Sequence, residues 1–343
     1  MPIPVSIGII GGMGPWVDPL LLEKLLVYQS ALGMRRDQEA IPLLLAQWAP
    51  VVEDRTEYLD KLCRGEAGEN PAYGVARALD LLARAGARVF GIPCNTFHAP
   101  AIFGVFEHEI QPWRERGVTV VHMIRATCER VVSQWPAVRR VGILSTNGTY
   151  LHRIYAQPLA ETGIEAVTLA YEARAFSLEE QAARRDAIVA GKLEPLQNDV
   201  HHAIANAEWG IKSGCDAARG YPQPRALLRR AAERLGELGA EVLILGCTEI
   251  PLALQTEDVP GLPMIDPLDV LAQELVETWR RRFSPAWPAA RELPFLPEQP
   301  RRANDPVRAG VPQATRSDAG IWRLCGAAPA RDPRPENAPG SPA

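Results

Sequence analysis

The sequence predicts an α/β protein of two similar Rossmann-like domains with parallel sheets, related by pseudo-twofold symmetry. Three observations carry this expectation. Short apolar runs that stop at Gly or polar residues alternate with segments of helical periodicity, the pattern of strands buried in parallel sheets. A stretch from Leu82 to Thr96 (LARAGARVFGIPCNT) recurs from Leu235 to Glu249 (LGELGAEVLILGCTE), with Gly86/Gly239, Ala87/Ala240, Val89/Val242 and Cys94/Cys247 at equal offsets. The run Gly8-Ile9-Ile10 ahead of Gly11-Gly12-Met13-Gly14 is echoed by Gly142-Ile143-Leu144 ahead of Ser145-Thr146-Asn147-Gly148.

The elements follow in order. Ser6 to Ile10 is an apolar run halted by glycines, hence a buried strand. Asp18 is suited to cap a helix over Pro19 to Ala31, with Pro19 in its first position. Ile41 to Gln47 reads as a strand, Ala72 to Ala85 as a helix ended by Gly86, and Val89 to Pro93 as a strand. Val118 to Val121 and Val141 to Leu144 are further short strands, Leu227 to Leu238 a helix, and Val242 to Leu245 a strand. The expected boundaries are 1–118 together with about 265–283 for the first domain and 119–264 for the second. Residues 284–343, rich in Pro, Arg, Ala and Gly without periodicity, read as a disordered tail. Ile321 to Cys325 is its one apolar island.

Composition narrows the function classes. The formal net charge of −4 across 343 residues gives no basic footprint for nucleic acid. No apolar run approaches the roughly 20 residues that span a bilayer, and the start carries no secretory pattern, so a soluble cytoplasmic protein is expected. The six cysteines, Cys63, Cys94, Cys128, Cys215, Cys247 and Cys325, are scattered without a C-x-x-C pair. Neither a disulfide framework nor a zinc site is expected, and each cysteine must be judged by its surroundings.

Cys94 and Cys247 are the residues that carry chemistry. Ligands of such sheets bind beyond the carboxyl ends of the strands, and both cysteines stand at such ends. A thiol with a reference pKa of about 8.5 can serve as acid or base near neutral pH. Two of them on opposite faces of a carbon would remove a proton on one side and return one on the other. Taken singly, each cysteine reads better as a packed residue, and the pair has a redox couple as a lesser reading; the matched repeat favours catalysis. Asn95, Thr96, Thr248 and Glu249 follow the thiols and suit either helix capping or the holding of a substrate carboxylate. The turn at Met13 lacks the spacing of a dinucleotide or P-loop motif and reads as close backbone approach to a small ligand. Arg55 and Lys212, one of four lysines in the chain, read as surface charges or as carboxylate clamps. His98, one helical turn after Cys94, reads as a packing residue or as a tuner of the thiol. Trp48 reads as lining the cleft or packing.

At these residues the sequence resembles the aspartate/glutamate racemase superfamily, and within it the aspartate racemase branch. The resemblance rests on IGIIGGMGP (Ile7–Pro15), RDQEAI (Arg36–Ile41), EDRT (Glu53–Thr56), PCNTFH (Pro93–His98), Asn147-Gly148-Thr149, IKSG at Ile211, GCTEIP (Gly246–Pro251) and IDPLDV (Ile265–Val270). It implies two facing domains, a homodimer, and a reaction on a small amino-acid substrate without pyridoxal phosphate, metal or nucleotide. Carried over by motif, Cys94 and Cys247 are the catalytic thiols. Asn95, Thr96, Thr149 and Thr248 bind the amino-acid frame, and Arg55 and Lys212 hold carboxylates. The segment from Glu172 to His202, with Arg174, Arg184, Arg185 and Lys192, is long for the family and is expected to cover or reshape the cleft. Phe97 and Gln47-Trp48 also depart from the pattern. The resemblance leaves open a broad-specificity or glutamate-directed racemase, a maleate isomerase, an arylmalonate-type decarboxylase, and a non-catalytic or redox-regulated binding protein.

Overall fold

The computed structural model describes residues 4–169, 177–190, 192 and 195–284. Two four-stranded sheets organise them. The first has β1 (Ser6–Gly11), β2 (Leu43–Gln47), β3 (Ala87–Gly91) and β4 (Thr119–Val120) in the order β2-β1-β3-β4. The second has β5 (Arg140–Leu144), β6 (Glu165–Val167), β7 (Val242–Leu245) and β8 (Met264–Ile265) in the order β6-β5-β7-β8. Every pairing is parallel. The two sheets share one strand order, so the repeat read in the sequence is a repeat of topology, and β3 and β7 occupy equivalent places.

The helices are α1 (Val17–Ala31), α2 (Arg55–Cys63), α3 (Pro71–Arg84), α4 (Pro100–Glu109), α5 (Gln111–Glu115) and α6 (Met123–Gln134), followed by α7 (Asn147–Leu151), α8 (Ala156–Glu161), α9 (Leu178–Val189), α10 (Pro195–Ala205), α11 (Pro222–Glu237) and α12 (Pro267–Phe283). Local sequence explains their ends. Asn70 caps α3 by accepting from the Ala72 amide at 2.9 Å, and Asp266 caps α12 by accepting from the Leu268 amide at 2.8 Å, each with Pro in the first helical position. After α3 and α11 the chain turns at Gly86 (φ 110°) and Gly239 (φ 91°), backbone angles that side-chain-bearing residues rarely adopt. That requirement explains why glycine stands at both positions of the repeat. Ile7, Ile9 and Ile10 of β1 are fully buried, each worth about 1.5–3 kcal/mol of apolar transfer.

Three expectations change. Asp18 lies inside the first turn of α1 and does not cap it; its Oδ2 accepts from the Gly12 amide at 2.9 Å and from Gln47 Nε2 at 2.8 Å, tying the glycine turn to the end of β2. β4 lies beyond the expected boundary at 118/119 yet pairs with β3 in the first sheet. Ile265, expected in the first domain, pairs with Ile244 in the second sheet, and the return to the first lobe begins with α12. There α12 packs on α1 and α6. Lys24 of α1 pairs with Asp266 and Asp269 at 3.2 Å each, and the Tyr28 hydroxyl donates to Asp269 at 2.5 Å. The IDPLDV motif is therefore a staple between helices. Residues 285–343, Arg174 and the island at Ile321 to Cys325 lie outside the described residues. Among the described residues no helix is long and apolar enough to cross a membrane.

Candidate active site

Cys94 follows β3 and Cys247 follows β7. Both are buried, and both line one cavity of about 400 Å³. Met13, Arg55, Asn95, Thr96, Lys212, Thr248 and Glu249 line it as well, so nine of the twelve residues weighed in the sequence meet there, with Thr149, His98 and Trp48 outside the wall. Thr149 does not reach the wall. Its Oγ1 lies 3.1 Å from Thr96 Oγ1, one layer behind, and Thr146 takes the lining position.

Three hydrogen bonds tie the Cys94 loop to the second lobe, and one of them reaches the Cys247 loop itself. The first is the Thr96–Thr149 contact, the second runs from Thr248 Oγ1 to the Pro93 carbonyl at 3.3 Å, and the third from the Tyr155 hydroxyl to Asn95 Oδ1 at 2.5 Å. The Thr248–Pro93 bond links the two thiol loops directly.

The charges form two clusters. Arg55 opens α2, beside the helix cap Asp54, and donates to the Met13 carbonyl at 3.4 Å. Burial disfavours the Arg55 cation, but the neighbouring Cys94 sulfur and Asp54 carboxylate outweigh it and raise its pKa. Burial likewise opposes the Asp54 charge, but Arg55, the Glu57 amide and Lys212 hold its pKa below the usual carboxylate range. On the other side the Cys247 thiol donates to Glu249 Oε2 at 2.9 Å, and Glu249 Oε1 pairs with Lys212 at 3.4 Å. Burial, and then the Glu249 charge, push the Cys247 pKa well up, with Lys212 pulling the other way. Lys212 is raised chiefly by Glu249. The two cysteines are thus unlike: one sits with a guanidinium, the other donates a hydrogen bond to a carboxylate.

The glycine turn leaves room for that carboxylate. A Cβ on Gly14 would stand 2.1 Å from Glu249 Oε1. The close approach expected of this turn is therefore made by the protein's own side chain. Gly14→Ala is expected to destabilise by about 1–3 kcal/mol, the cost of overpacking, read as a lower denaturant midpoint at unchanged slope.

Several lining residues escaped sequence reading. Glu57 and Asp60 lie with Arg55 on α2, Arg64 caps its C-terminal end, and His201 and Ala205 come from α10. The i, i+3, i+7 spacing of Glu57, Asp60 and Arg64 was the available signal; nothing in the sequence marked His201. Its Nδ1 is buried without a hydrogen-bond partner, and burial draws its pKa down to about 4. The expected cover over the cleft is partly indirect. α9 packs on α2 and α7, Arg185 pairs with Asp60 at 3.4 Å, and Arg184 donates to the Tyr150 hydroxyl at 3.3 Å. His98 does not touch the thiol. Its Nδ1 donates to the Cys94 carbonyl at 2.8 Å, and burial holds its pKa well below the usual value, so it is a neutral brace. Phe97 is buried in an aromatic cluster with Phe103 and Phe106, and Trp48 packs against the core outside the cavity wall.

The sequence profile of the Asp/Glu/hydantoin racemase family matches residues 27–204 and 202–275. The fold is similar to that of Picrophilus torridus aspartate racemase, with a TM-score of 0.55 and 21% identity over 80% of this chain and 94% of that one. It is similar to a candidate Asp/Glu racemase from Yersinia pestis, with a TM-score of 0.55 and 20% identity over 80% of this chain and 98% of that one. Over 138 residues the chain is 29% identical to an uncharacterised protein encoded 3′ of pnlA in Pectobacterium carotovorum subsp. carotovorum, covering 40% of this chain and 69% of that protein.

Proposed function

The chain belongs to the Asp/Glu/hydantoin racemase family, and from that premise we propose that it interconverts the L and D forms of aspartate, with glutamate as the next candidate, by a cofactor-independent two-thiol mechanism. The observation that carries this reading is the pair of buried cysteines, from equivalent strand ends, lining one cavity.

The α-carbon lies between the sulfurs. Cys247 holds its proton against Glu249 and is the acid of the resting enzyme, so Cys94 is the base. The C–H bond breaks toward Cys94 and an S–H bond forms there. Negative charge spreads onto the substrate carboxylate, where amide and hydroxyl donors at Asn95, Thr96 and Thr248 stabilise it. Cys247 then gives its proton to the opposite face and becomes the thiolate. No electrons are exchanged, and the enzyme is left poised for the opposite enantiomer. Arg55 and Lys212 each have a carboxylate neighbour already, so a dicarboxylate substrate would share these cations with Asp54 and Glu249.

Optical rotation of L-aspartate, and separately of L-glutamate, tests the reading in buffer without added cofactor. Decay to zero rotation with one of them is expected. Stable rotation with both would overturn the assignment to acidic amino acids.

A further inference from the structure

The glycine turn that follows β1 is held from behind. Asp18, on the first turn of α1, is 1% exposed, and its Oδ2 accepts from the Gly12 amide at 2.9 Å and from Gln47 Nε2 at 2.8 Å. Gln47 Nε2 also donates to the Pro15 carbonyl at 3.3 Å. Gly11 leaves the space for the carboxylate, since a Cβ there would collide with Asp18 Oδ1. Gly12 takes φ 88°, and a Cβ on it would meet the backbone of Trp48 and Ala49. Three glycines in four positions have little conformational preference of their own, so bonds from outside the turn must choose its shape. Asp18 and Gln47 supply them.

The turn serves both thiols. Its Met13 carbonyl accepts from Arg55 at 3.4 Å, and Arg55 neighbours Cys94. Its Gly14 lies against Glu249 Oε1, and Glu249 Oε2 accepts from the Cys247 thiol at 2.9 Å. One stretch of backbone therefore stands behind the guanidinium of one sulfur and the carboxylate of the other. Asp18 itself lies outside the cavity wall.

We propose that Asp18 is a positioning residue which, with Gln47, sets the glycine turn so that Met13 keeps Arg55 beside Cys94 and Gly14 keeps Glu249 against Cys247. The different surroundings of the two thiols are thus fixed from outside the cavity. That the thiols act as base and acid rests on the racemase reading; the brace does not. The Glu249 charge opposes the Asp18 charge across the turn, so bracing has to be separated from charge.

Three variants separate them. Asp18→Asn removes the charge but can keep an oxygen toward Gly12 and Gln47, with its NH2 in the place of Oδ1, which has no partner in the wild type. Asp18→Ala removes charge and brace together. Gln47→Ala removes one bond at an exposed side chain. Each is treated with iodoacetamide at about pH 8, where the thiolate is the reacting form, and the ratio of Cys247 to Cys94 labelling is read by mass spectrometry. Both sulfurs line one cavity, so a change of access alone alters both and leaves the ratio in place. Asp18→Ala is expected to raise the ratio about tenfold, the factor that one pH unit gives a weakly ionised thiol, because Glu249 no longer opposes the Cys247 thiolate from a fixed place. It is expected to lower kcat about tenfold in both directions through misplacement of the charged groups. Asp18→Asn is expected to stay within about twofold of wild type in both readings, its hydrogen bonds being kept. Gln47→Ala is expected to raise the ratio about threefold, as one of two bonds is lost, and it carries the test should Asp18→Ala lose its fold. A wild-type ratio in folded Asp18→Ala, or in Gln47→Ala where the first does not fold, would overturn the proposal. Equal changes in Asp18→Asn and Asp18→Ala would also overturn it, since charge would then be the cause. If the ratios change as expected but wild type racemises nothing, the brace stands and the racemase reading falls. If wild type racemises and the ratios stay in place, the brace falls and the racemase reading stands.

Discussion

Replacing either Cys94 or Cys247 by serine is expected to lower racemisation about a thousandfold or more in both directions. A positioned acid or base contributes about 10²–10⁴ in rate, and the serine hydroxyl ionises far too weakly to replace a thiolate. Both directions are affected because each thiol is base for one enantiomer and acid for the other. The variants should remain folded, since each substitution replaces sulfur by oxygen at the rim of a cavity. Chiral chromatography of both enantiomers, with circular dichroism as the fold control, checks the result. A variant that still racemises at more than a tenth of the wild-type rate would show that the missing thiol is a packing residue.

Glu249→Gln should produce the second-largest loss, about 10–100-fold in kcat, together with a displaced pH profile. Glutamine has nearly the same shape and still offers an oxygen to Cys247 and Thr248, so charge is what changes. Lys212 then loses its partner. Removing one member of a buried ion pair costs about 3–5 kcal/mol, an upper bound here because the lysine is 35% exposed and partly screened. Burial would still raise the Cys247 pKa, but the Glu249 charge that raises it further would be gone and the Lys212 charge that lowers it would remain. The thiol would ionise at a lower pH than in wild type. The limb on which the Cys247-as-acid direction fails with rising pH should therefore move to lower pH. A profile that stays in place, or moves to higher pH, would remove Glu249 from control of Cys247. The double variant with Lys212→Met should recover much of the stability lost by Glu249→Gln, because the stranded charge is gone.

The fold was legible because it is repeated. The Gly-Ala-x-Val-x-x-x-x-Cys spacing follows from two matched events, a helix ended by glycine in a left-handed turn and a buried strand ended by a ligand-facing loop. Such events leave marks in the local sequence. What was missed depends on distant partners. β6 and β8 are strands of 3 and 2 residues at sheet edges, too short for any periodicity. β4 has 2 residues, and its place in the first sheet is set only by its pairing with β3.

The site shows the same division. The thiols, Arg55 and Lys212 were found through strand ends and motifs, but their pairings were not. That Lys212 already pairs with Glu249, that Asp18 reaches back to Gly12, and that His98 braces a carbonyl are facts of side-chain geometry across many residues. Thr149 matches a motif yet stands behind Thr96. His201 sits in a segment with no distinguishing pattern, so nothing short of the folded arrangement could bring it to the cavity.

The central claim is that one thiol takes the α-proton and the other returns a different one. It is tested most directly by starting with pure L-aspartate, or with whichever enantiomer racemises, in heavy water and stopping the reaction early. Mass spectrometry of the separated enantiomers then locates the label. Two thiols on opposite faces predict deuterium in nearly all of the newly formed D enantiomer and almost none in the remaining L enantiomer. Equal early labelling of both enantiomers would mean that a single group serves both faces, and the roles assigned to Cys94 and Cys247 would be wrong.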